Sequence, residues 1–99
     1  MPIYILLSTL TSEGVECVVS DPSCLRETSM DIENLGVKVL DQYATLGQYD
    51  FVHIIDAPDN ETVARVSMEL VAHGHMKPLS LPAISMNDFI SRLSLDRRP

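Results

Sequence analysis

Residues 45–55, Thr45-Leu46-Gly47-Gln48-Tyr49-Asp50-Phe51-Val52-His53-Ile54-Ile55, decide how this chain folds. The second half is apolar throughout but for one histidine, the pattern of a buried strand. The first half is a short link in which Gly47 is free to take a positive φ. Upstream, residues 37–44 alternate, with Val37 and Val39 on one side and Lys38, Leu40 and Gln42 on the other. Two strands joined by so short a link predict an antiparallel hairpin.

Other elements flank that hairpin. Ile3-Tyr4-Ile5-Leu6-Leu7 reads as a first strand, too short for a helix. Residues 76–84 read as a fourth, where Pro78 and Pro82 each remove a backbone donor and so demand an edge or broken strand. Residues 12–19 suit one or two helical turns. A second helix is predicted to open at Asp21-Pro22, carry Leu25, Thr28, Ile32 and Leu35 on one stripe and stop at Gly36. A third opens at Asp59, carries Val63, Val66 and Leu70, and stops at Gly74. Ser85-Met86-Asn87-Asp88 caps a short terminal helix bearing Phe89, Ile90 and Leu93. The order β-α-β-β-α-β plus a helix predicts an α+β, ferredoxin-like fold with a four-stranded antiparallel sheet. It occupies one domain over residues 1–94, with 95–99 as a frayed tail.

Right-handed crossovers place both connecting helices on one face of that sheet. Ile3, Ile5, Leu7, Val52 and Ile54 are assigned to the covered face, and Tyr4, Leu6, Ser8, Phe51, His53 and Ile55 to the reverse. A reverse that meets water should be polar, and this one is not. Leaving four or five large side chains wet forgoes several kcal/mol at ~25 cal/mol per Å². A second copy about a two-fold axis is therefore expected to cover it. The competing cover is the terminal helix, whose ~9 residues reach only ~13 Å. On this assignment Phe51→Asp or Leu6→Asp gives a monomer or an aggregate, whereas Val66→Asp unfolds the chain.

Composition narrows the function classes. The 99 residues are 45% hydrophobic and 21% charged, as in an ordinary globular domain. Fourteen acidic against seven basic side chains give a net charge of −7, which opposes a nucleic-acid phosphate backbone. The apolar runs are too short to span a bilayer, and no secretory signal opens the chain. Cys17 and Cys24, seven apart and outside any CxxC spacing, are read as free thiols buried as small apolar groups. A cytoplasmic location is expected.

Thr45-Leu46-Gly47-Gln48-Tyr49-Asp50-Phe51-Val52, followed by Asp56-Ala57-Pro58-Asp59, resembles the signature of the GYD-domain family, named for Gly-x-Tyr-Asp at the head of a strand. The Pro2-Ile3-Tyr4-Ile5 start, Thr11 with Gly14, Pro22 and Gly36 agree with it, and the resemblance runs over residues 2–93. It implies a ferredoxin-like fold of the dimeric α/β-barrel type, in which two sheets face one another. It carries no agreed catalytic residues across. Cys24, in place of a basic residue, and the two prolines of the fourth strand depart from the pattern.

His53 is the candidate catalytic base, an imidazole in an apolar strand near Tyr4, Ser8 and Tyr43. Tyr4, Leu6, Tyr43, Tyr49, Asp50, Phe51 and Ile55 form the candidate ligand-binding or interface set. Asp50 and Gly47 also have a structural reading, the carboxylate satisfying backbone amides of the turn. His73-Gly74-His75 lacks the tight spacing of a zinc site, so no metal is expected. Without a phosphate-cradling glycine loop or a Gly-x-Ser-x-Gly turn, no cofactor is expected either. The primary expectation is a homo-oligomeric, non-enzymatic module that binds a small apolar or aromatic molecule or holds an assembly together. The alternative is a cofactor-independent monooxygenase or isomerase with His53 as base.

Overall fold

The computed structural model describes residues 2–96. Its elements are β1 (Ile3–Leu10), α1 (Ser12–Ser20), α2 (Cys24–Asn34), β2 (Lys38–Ala44), β3 (Phe51–Asp56), α3 (Asn60–Ala72), β4 (Met76–Ala83) and α4 (Met86–Asp96). The four strands form one antiparallel sheet in the order β2-β3-β1-β4, the ferredoxin-like arrangement. β4 is an edge strand, as its prolines require.

Local chemistry sets the boundaries. The Thr11 side chain accepts from the Gly14 amide and opens α1; Asp59 accepts from the Thr62 amide and opens α3. Ser85 Oγ accepts from the Asp88 amide at the head of α4. Helix α2 starts later than Asp21-Pro22 predicts. The Asp21 carboxylate binds both the amide and the hydroxyl of Ser23, spending residues 21–23 on a turn. Gly36 and Gly47 take φ of 93° and 102°, the left-handed positions that end α2 and turn the hairpin. α4 continues through Leu95 and Asp96, and residues 97–99 of the expected tail lie outside the described residues.

The assignment of the two sheet faces is the reverse of the sequence expectation. Tyr4, Leu6 and Ile55 are buried in one cluster with Ile32 of α2 and Val63, Val66 and Leu70 of α3. Ser8 and His53 are buried on that same side. The uncovered face consists of two apolar rows, Ile54-Ile5-Leu81 and Val52-Leu7-Leu79, with Ile3 beyond them. Alternation could not settle the matter, because β1 and β3 are apolar on both faces. The polar atoms of Tyr4, Ser8 and His53 suggested a wet or shared surface, yet they lie inside. The Tyr4 hydroxyl, for one, donates to Asn60 Oδ1 at the head of α3. A bulge between Val39 and Asp41 also breaks the β2 alternation. Val39 then faces the core while Gln42 still stands opposite His53.

A further expectation fails, and the competing cover is ruled out. Cys17 and Cys24 are half-buried and joined in a disulfide that ties the end of α1 to the start of α2. The reducing compartment inferred from free thiols loses that ground. The terminal helix roofs nothing: every described side chain from Ile84 to Leu95 is exposed. The Cα radius of gyration, 15.7 Å, exceeds the ~12.6 Å of a compact chain this long, as a projecting helix would make it. Among the described residues no helix is long and apolar enough to cross a membrane.

Candidate functional site

His53 sits at the middle of the sheet, 5% exposed, between Leu6 of β1 and Gln42 of β2. Its imidazole lines a cavity of about 180 Å³ between α2 and the sheet. Leu25 and Arg26 of α2 close one side; Gln42, Tyr43, Ala44, Phe51 and Met76 supply the rest. Arg26 is exposed, so its position is at the rim. The Ser29 hydroxyl donates to Gln42 Oε1 at 2.6 Å, leaving the Gln42 amide nitrogen as a donor.

The polar atoms of this region are under-satisfied. His53 Nδ1 and Ser8 Oγ are enclosed without a hydrogen-bond partner in the protein. Burial also holds the His53 pKa below its ordinary 6.5, since a desolvated imidazolium is disfavoured. At neutral pH the ring is therefore uncharged, one nitrogen a donor and the other an acceptor.

Of the residues singled out in the sequence, the cavity brings together His53, Tyr43 and Phe51. Tyr43, 57% exposed, stands opposite Val52 at the margin of the uncovered face. Tyr4, Leu6 and Ile55 belong to the core under the helices. Asp50 is a brace: its Oδ2 accepts from the Leu10 amide at 2.8 Å, and its own amide donates to the Ser8 carbonyl. Tyr49 is half-buried in the hairpin, where its carbonyl accepts from Thr45 Oγ1. Sequence reasoning missed Leu25, Arg26 and Met76 as companions of His53. Only the identity of the covered face would have revealed them, since α2 lies on that side.

A second depression of about 210 Å³ is lined by Cys17, Cys24, Glu27, Asp31, His73 and His75, among others. The His73 imidazole approaches Asp31 to 3.7 Å at the surface. No group of three or more metal-ligating side chains converges among the described residues.

Comparison with known proteins places these features in a family. The GYD domain matches residues 4–93. A Thermus thermophilus protein named glutamine synthetase and cystathionine beta-lyase binding protein is 45% identical over 94 residues, covering 94% of this chain and 99% of the relative. No solved structure matches the chain.

Proposed function

This chain belongs to the GYD domain family, and we propose that it is a non-enzymatic binding module that acts as a homo-oligomer on an enzyme partner. One observation carries the oligomer: the uncovered sheet face is apolar across Ile5, Leu7, Val52, Ile54, Leu79 and Leu81. From strand spacing and rise, four strands of about six residues present ~19 by ~20 Å, a size at which patches mark interaction sites.

A second copy is the occupant that the charge distribution favours. Of the fourteen acidic residues, Asp41 and Asp56 are the two that the strand registers place in the rows of this face. Lys38 pairs with Asp56 along the same margin, so the rim carries both signs. A two-fold interface apposes one patch to itself and needs such self-complementarity. Pairing the two faces gives the dimeric α/β-barrel arrangement and leaves the acidic helix layers outward.

Those outward layers are the surface available to another protein. The partner class is carried over from the Thermus relative, whose name gives glutamine synthetase and cystathionine beta-lyase. A cytoplasmic location is part of the same proposal and rests on that partner class alone, with the Cys17–Cys24 disulfide standing against it. Light scattering at low micromolar concentration is expected to return a multiple of 11.0 kDa. The tagged chain is expected to retain glutamine synthetase or cystathionine beta-lyase of its own source. A monomer refutes the oligomer, and retention of neither enzyme refutes the partner class.

A further inference from the structure

The cavity beneath α2 has three properties that a closed core does not need. It is bounded by apolar walls, chiefly Leu25, Phe51 and Met76. A cation stands at its rim: Arg26 has no carboxylate within ion-pairing distance among the described residues. The imidazole on its floor is more than nine-tenths buried and has a nitrogen with no partner. Nδ1 is itself sealed off, so a ligand in the cavity meets the ring at Nε2, which has no hydrogen-bond partner among the described residues.

Size and charge limit what fits. About 180 Å³ corresponds to roughly six water volumes, enough for one ring and too little for a nucleotide. The first-turn amides of α2 cannot hold an anion, because the Cys24, Leu25 and Arg26 amides already donate to the Asp21, Pro22 and Ser23 carbonyls. The Arg26 guanidinium is then the group for a negative charge, and its planar fork matches a carboxylate.

We infer that this cavity binds a small aromatic carboxylate, its ring against Leu25, Phe51 and Met76, its carboxylate on Arg26 and a ring hydroxyl toward His53. The site lies within one chain, on the side of the sheet opposite the face assigned to self-association. It stands or falls separately from the oligomer and from the enzyme partner.

Titration of the intact protein with 4-hydroxybenzoate, benzoate and benzylamine tests it, followed calorimetrically and by amide NMR shifts at Leu25, Phe51 and Met76. The expected result is saturable binding of 4-hydroxybenzoate, weaker binding of benzoate and none of benzylamine. Arg26→Gln, a change at an exposed position, is expected to weaken 4-hydroxybenzoate about tenfold, as loss of a charged hydrogen bond does. His53→Leu is expected to erase the preference for 4-hydroxybenzoate over benzoate. The inference is overturned if neither carboxylate saturates by about 10 mM, the weak end of specific affinity. It is equally overturned if Arg26→Gln binds as the unmodified chain does, or if benzylamine binds as well as benzoate.

Discussion

Gly14 on α1 is packed against the carbonyl of His75, so closely that a Cβ there would stand 2.1 Å from the carbonyl oxygen. The same carbonyl accepts from the Thr11 amide at 3.0 Å, and the Thr11 hydroxyl donates to the Gly74 carbonyl. The start of α1 is thereby riveted to the turn between α3 and β4. Gly14→Ala forces one of two backbones to move and is expected to cost about 2 kcal/mol, as overpacking does. Thermal denaturation should then shift down by roughly 10 °C in a chain of this length. An unchanged transition would show that the two segments are not in contact.

Neighbouring residues on β1 give the sharpest test of which face is which. Leu6 is wholly buried under the helices, whereas Ile5 lies on the uncovered face. Leu6→Asp buries an unpaired charge and is expected to abolish folding. Ile5→Asp is expected to retain the circular dichroism spectrum while dissociating the oligomer to 11.0 kDa. If the two variants behave alike, the face assignment is wrong.

His53 gives stability a dependence on pH whose sign is fixed by its environment. Burial lowers its pKa in the folded chain, so the unfolded chain takes up the proton first as pH falls. Stability is full above 6.5, declines below it, and levels off once the folded-state value is passed. Urea midpoints between pH 7 and pH 5 are expected to fall in the unmodified chain and to fall less in His53→Leu. Matching slopes would place the imidazole in water. Asp21 and Asp59, held below 3.8 by hydrogen bonds from Ser23 and Thr62, add a separate loss at more acid pH.

The Cys17–Cys24 bond closes a short loop across the corner between α1 and α2. Loop-closure entropy for about eight residues gives an upper stabilisation of ~2.5 kcal/mol. The folded protein, kept from reductants, is expected to show no thiol that reacts with a disulfide reagent. Cys17→Ser with Cys24→Ser is expected to lower the unfolding free energy by up to that amount without changing the fold. Two reactive thiols in the unreduced protein would contradict the bond.

The element order, the edge position of β4, the Val63-Val66-Leu70 stripe and the Asp59 cap were legible because each rests on local chemistry. What a strand's two faces look toward was not. Ile3, Ile5 and Leu7 are as apolar as Leu6 and Ile55, so periodicity says only that both sides are apolar. His53 stands out in the sequence as a lone polar group in an apolar strand, and the structure places it beside a cavity. Its neighbours Leu25 and Arg26 come from an element distant in sequence, and no spacing links them to it. The disulfide was hidden for a related reason: the turn at residues 21–23, which folds Cys24 back toward Cys17, depends on the Asp21 carboxylate.

Pro78 and Pro82 stand opposite Ser8 and Tyr4 on the outermost strand. Neither can donate a main-chain hydrogen, so the free margin of β4 offers an incoming strand a ladder with rungs missing. Lateral growth into a ribbon is thereby blocked at that margin. The self-association proposed above is thereby left to the broad apolar surface, which a two-fold contact uses up, and not to the strand edge.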